Sequence, residues 1–130
     1  MAPFYHGVAS GDPLSDRLII WTRVTPPKRE ASKNDWKLAF SVSWEVATDT
    51  AFKDIVRNGD IATDETKDFT VKVDVTGLKP NTVYYYKFEA FERNSITGTT
   101  KTAYNAVDEL PVKLAFVDGN DFSNGYFNAY

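Results

Sequence analysis

"GLKPNTVYYYKFEA", Gly77 to Ala90, decides how the rest of the chain is read. Leu78, Pro80, Thr82 and Tyr84 recur two apart across what reads as a corner between two strands. Pro80 presets φ at the turn, Leu78 is placed to plug a core, and Tyr84 is placed to return its hydroxyl to the corner backbone. From Tyr84 onward the period stays at two, which puts Tyr84, Tyr86, Phe88 and Ala90 on one apolar strand face.

The same alternation recurs on either side. "FTVKVDVTG" sets Phe69, Val71, Val73 and Val75 against Thr70, Lys72, Asp74 and Thr76. "FSVSWEV" sets Phe40, Val42, Trp44 and Val46 against Ser41, Ser43 and Glu45. "LIIWTRV", with Leu18 to Trp21 consecutive, reads as a strand covered on both faces. "FYHGVAS" and "SITGTTKTA" read as flanking strands, and "DTAFKDIV" as either a helical turn or an edge strand. The stretches "GDPLSD", "VTPPKREASKND", "RNGD", "GLKPN" and "ERNS" carry turn and loop chemistry. About seven short strands, each with one apolar face, predict an all-β antiparallel sandwich.

The L-x-P-x-T-x-Y spacing resembles the tyrosine corner of fibronectin type III domains, so the expected fold is fibronectin type III or immunoglobulin-like. Trp21 stands where such domains carry a core tryptophan. Trp21, Leu78, Pro80 and Tyr84 are therefore assigned structural roles, with Trp21 and Tyr84 largely buried.

Composition narrows the function classes. The chain has 130 residues, a net charge of −3 and no cysteine. Interspersed charges offer no basic field for nucleic acid. The lack of cysteine excludes thiol catalysis, cysteine zinc sites and disulfides. No apolar run reaches the roughly 18 residues that a membrane span needs. His6, the only histidine, has no nucleophile or orienting acid beside it in sequence. "SGDP", Ser10 to Pro13, is read as a turn rather than a nucleophile elbow.

After "AVDELP" (Ala106 to Pro111) the pattern changes. "VKLAFV" reads as a buried strand, Asp118 to Gly125 as a loop, and "GYFNAY" as a helix start with Ser123 or Asn124 as N-cap. Strand, loop and helix open an α/β unit, so residues 1–107 are predicted to be the sandwich. Residues 108–130 are predicted to be a linker and the first piece of a truncated α/β domain. Asp118, Asn120 and Asp121 follow a strand end and supply oxygen donors suited to a hard cation or iron, an incomplete metal site at best.

"GVASGDPLSDRLIIWTRVTP" (Gly7 to Pro26) and the closing "GYFNAY" together resemble the alkaline phosphatase D family. "SWEVATDTAF", the run from "DFTVKVDVTGL" to "YYYKFEA", and "TGTTKTA" fit as well. The resemblance implies an N-terminal fibronectin-like domain ahead of a metallophosphoesterase domain. That larger domain binds iron and calcium and cleaves phosphate mono- and diesters outside the cytoplasm of bacteria. The expected location is thus periplasmic or secreted, although no export signal is present, and the expected partner is the catalytic domain of the same chain. No cofactor is expected within these residues, and no activity from them alone. Where the family has a cysteine iron ligand, this sequence has Gly119, which offers no side-chain donor. The competing reading is a free-standing extracellular adhesion or carbohydrate-binding module.

Overall fold

A computed structural model of the chain describes residues 2–27, 39–107, 111, 115 and 116. Its eight strands run β1 (Val8–Gly11), β2 (Arg17–Arg23), β3 (Phe40–Ala47), β4 (Ile55–Thr63), β5 (Thr70–Thr76), β6 (Val83–Ala90), β7 (Arg93–Asn94) and β8 (Gly98–Lys101). A three-stranded sheet has the order β1-β2-β5; a five-stranded sheet has the order β4-β3-β6-β7, with β8 also pairing β6. All pairings are antiparallel. The protein is an all-β sandwich of fibronectin type III-like form.

The alternating faces meet in one core. Leu18 and Ile20 from β2, Val42 and Val46 from β3, Val71 and Val75 from β5, and Tyr84, Tyr86 and Phe88 from β6 are all buried. Phe4 joins them from the N-terminal segment. That segment is tied down by Thr25 N–H donating to Pro3 O at 2.8 Å and by the Thr22 hydroxyl donating to Gly7 O at 2.8 Å.

The corner is built as the spacing implies. Leu78 is 7% exposed and Tyr84 2% exposed, and the Tyr84 hydroxyl accepts the Lys79 N–H at 2.9 Å. The Thr82 hydroxyl donates to Pro80 O at 2.8 Å, closing the turn that Pro80 begins. Buried Thr102 completes the corner by donating to Lys79 O at 2.6 Å and accepting the Thr82 N–H at 3.0 Å. Tyr84→Phe removes the acceptor from the part-buried Lys79 N–H and is expected to cost on the order of 1 kcal/mol in chemical denaturation. An unchanged midpoint would remove the corner's hydroxyl from the forces holding the fold.

Five expectations need correction. Trp21 is not a core residue: β2 turns Leu18, Ile20, Thr22 and Val24 inward, and Trp21 is half-buried on the outward face with Ile19 and Arg23. The register decides this. Leu18 lies opposite Val75 and Thr22 opposite Val71, whereas Trp21 lies opposite Lys72. A one-residue slip would bury Trp21 only by burying Arg23 as well, and a buried unpaired guanidinium is costly. By the same alternation, β2 is covered fully on one face, not on both.

"RNGD" is not a turn. Arg57 to Asp60 lie inside β4, paired with β3. Gly59 sits opposite Trp44, and a Cβ there would stand 3.0 Å from the indole, so the glycine makes room for a ring rather than a bend. "ERNS" is partly strand, since Arg93 and Asn94 form β7. The turn is instead Phe91-Glu92, both at positive φ (52° and 58°), the geometry of a tight two-residue hairpin. Aromatic packing compensates the strain at Phe91: its ring lies 4.8 Å from Phe40, which in turn stacks on Phe69 at 5.8 Å.

"DTAFKDIV" is neither helix nor strand through most of its length; β4 begins only at Ile55. The Asp49 carboxylate gathers the turn by accepting N–H groups of Ala51, Lys53 and Asp54 at 2.8 to 3.3 Å. Those bonds, that of Asp54 foremost, hold the Asp49 carboxyl below its usual value of 3.8. The contribution to stability stands above that value and is lost as pH falls through the lowered one.

Candidate functional site

The expected metal donors Asp118, Asn120 and Asp121 lie outside the described residues, as do Gly119 and the expected boundary at Asp108. Of "VKLAFV", only Ala115 and Phe116 are described, and both are exposed. Among the described residues no group of three or more His, Cys, Asp and Glu side chains is placed to hold a metal ion.

His6 and Ser10, the remaining chemistry-bearing candidates, do not come together as a catalytic pair. His6 Nε2 lies 2.7 Å from Arg23 Nη1. A guanidinium only donates, so the imidazole nitrogen accepts and is engaged. Arg23 also grips Asp68 with two nitrogens at 2.8 and 3.1 Å, and this bonding lowers the Asp68 carboxyl below its ordinary value. The cluster staples the N-terminal segment to the turn before β5, whose Asp68 and Phe69 both sit at positive φ. Ser10 stands exposed on β1 opposite Ile20, and the Tyr86 phenol is pushed up by burial.

On the outer face of the five-stranded sheet, Lys87 Nζ pairs with Glu45 Oε2 at 3.1 Å and lies 4.5 Å from the centre of the Phe52 ring. Glu45 Oε2 is shut off from solvent and has no aligned hydrogen-bond donor, so the ammonium is its compensation. Ser43 and Glu89 stand beside the pair on the same face, but the Ser43 hydroxyl is committed to Asp60 Oδ1 at 2.6 Å, and the pair reads as structural.

A feature that sequence reasoning missed is an open cleft of about 670 Å³ lined by Pro3, Tyr5, Pro26, Pro27, Phe91 and Arg93. It brings together three distant stretches of chain at the end of the sandwich where β6 finishes. Its one sequence signal was Phe91 ahead of the polar "ERNS", an apolar residue at a turn. Among the described residues a single charged side chain, Arg93, lines the cleft.

Two antiparallel sheets packed face to face and closed by a tyrosine corner define a fibronectin-like module. Comparison with known proteins makes this specific: residues 1–104 match the family model described as "PhoD-like phosphatase, N-terminal domain", and the chain belongs to that family. It is 40% identical over 129 residues to alkaline phosphatase D of Bacillus subtilis (strain 168), covering 98% of this chain and 22% of that protein. The solved structure of PhoD superposes with a TM-score of 0.74 at 40% identity, over 84% of this chain and 21% of that one. The chain thus spans about a fifth of the length of these relatives. A human fibronectin type III domain superposes at a TM-score of 0.51 and 12% identity, covering 87% of this chain and 83% of its own. At that identity it speaks for the fold alone.

Proposed function

We propose that this chain is the non-catalytic N-terminal accessory domain of an exported, alkaline phosphatase D-like phosphomonoesterase and phosphodiesterase, and that it braces or partly covers the catalytic domain. The observation that carries the reading is coverage: 98% of this chain aligns at 40% identity with only 22% of alkaline phosphatase D. A free-standing module would be expected to match other small modules end to end at such identity. The fibronectin type III likeness does run nearly end to end, but at 12% identity.

On this reading residues 108–130 are the linker and the opening of the α/β domain, and Asp118, Asn120 and Asp121 face its metal centre. Calcium and iron would belong to the larger domain, where they polarise the phosphate ester and supply a nucleophile near neutral pH. Two carboxylates and an amide from one loop are too few to fix such a cation, and poor positioning forfeits most of the rate. Among the described residues no helix is long and apolar enough to cross a membrane.

The purified 130-residue chain is expected to show no turnover of an aryl phosphate monoester or diester above buffer, with calcium and ferric iron added. Turnover that disappears in an Asp118→Ala/Asp121→Ala double variant would overturn the accessory reading.

A further inference from the structure

We infer that the end of the sandwich from which the chain departs is the docking face for the catalytic domain, centred on Leu14 and Val83; this rests on the accessory-domain reading. The outgoing segment fixes the geometry. Lys101 pairs with Val83, Ala103 N–H donates to Leu14 O at 3.1 Å, and Asn81 N–H donates to Ala103 O at 2.9 Å. Leu14 and Val83 therefore flank one strip of backbone just before the chain leaves the fold. Both are large apolar residues left open, at 56% and 42% exposure, and Val107 beyond them is 86% exposed. Two open apolar side chains flanking the departing strand and a third farther along it suit a surface that another domain covers.

The occupant follows from the length of polypeptide involved. This family is defined as an N-terminal domain and accounts for 22% of its relative, so the bulk of such an enzyme follows it in sequence. At no more than about 3.6 Å per residue, the stretch from Lys101 to Val107 reaches roughly 20 Å. The Phe91 end of the sandwich lies a whole strand away, about 27 Å along β6. A domain starting soon after Val107 meets the Leu14–Val83 end first, at the high effective concentration a short tether gives. Lys79 and Lys101 lie beside the strip, and Lys101 Nζ sits 5.1 Å from the Tyr104 ring, an arrangement that suits a polar rim around an apolar centre.

Every strand and every described core residue lies between Phe4 and Thr102, so residues 1–107 carry the whole described fold. The test grafts them onto Bacillus subtilis alkaline phosphatase D in place of the aligned N-terminal region. Hydroxyl-radical footprinting then compares this chimera with the 130-residue chain. Oxidation of Leu14 and Val83 is expected to fall roughly threefold or more in the chimera, with Tyr5 and Phe91 unchanged. Leu14→Asp/Val83→Asp should return Val107 in the chimera to its reactivity in the isolated chain, while leaving the circular dichroism of that chain as it was. An active chimera in which Leu14 and Val83 stay fully reactive, or in which Tyr5 and Phe91 are protected instead, overturns the docking face and leaves the accessory reading standing. A chimera without phosphoesterase activity and without protection anywhere, beside an active parent enzyme, overturns the accessory reading itself.

Discussion

Phe88→Ala is expected to cost about 3–5 kcal/mol, the range for truncating a buried aromatic where the surroundings collapse only in part. Among the described residues Phe88 is the largest fully buried side chain, at 0% exposure, and it packs edge-on against Tyr86 with ring centres 6.3 Å apart. It lies on β6, the strand that pairs with β3, β7 and β8, so the cavity opens at the centre of the larger sheet. For a domain whose total stability is about 5–15 kcal/mol, that loss removes a large share. The melting temperature should drop by roughly 10–25 °C. Ile96→Ala, at a side chain 58% exposed, is the contrast and should stay within about 0.5 kcal/mol. Equal effects at the two positions would mean that the sandwich has no single core.

Gly98→Val should be nearly as damaging, for the opposite reason. Gly98 pairs with Tyr86, and a Cβ at this position would lie 2.2 Å from Cζ of the Tyr86 ring and 2.6 Å from its hydroxyl. Neither side has room to give, because Tyr86 is 2% exposed and its ring packs edge-on against Phe88. Either the ring leaves its place in the core or β8 lifts from β6. Overpacking of this kind costs about 1–3 kcal/mol, and the lost strand pairing adds to it. A double-mutant cycle isolates the cause: with Tyr86→Val the ring is gone, and Gly98→Ala should then be far milder than in the native background. Simple additivity would show that the glycine serves the backbone and not the ring.

Much of this architecture was legible before any coordinates. β3, β5 and β6 each bury one face only, and their period of two states that face directly. The tyrosine corner was legible because Pro80, Thr82 and Tyr84 act within a few residues of one another, so spacing and geometry coincide. The metal donors proposed at Asp118, Asn120 and Asp121 rest on spacing and resemblance alone. The cleft at Tyr5, Pro26 and Phe91 left almost no trace in sequence, because its walls come from three stretches that only the folded sheets bring together.

The amino-acid sequence by itself determined the class of fold, the corner, and which residues of β5 and β6 form the core, because these depend on local periodicity and on side chains near one another along the chain. The tertiary structure alone decided that Trp21 faces outward, that Asn58-Gly59 runs straight through β4, and that Phe91-Glu92 makes the turn. In each case the local signal was ambiguous, and a partner far away in sequence settled it. Val71 and Val75 of β5 set the register of β2. Trp44 lies over Gly59. The Phe40 ring receives Phe91. Cross-strand packing and the cost of burying a charge are properties of pairs of strands, and no single strand's sequence contains them.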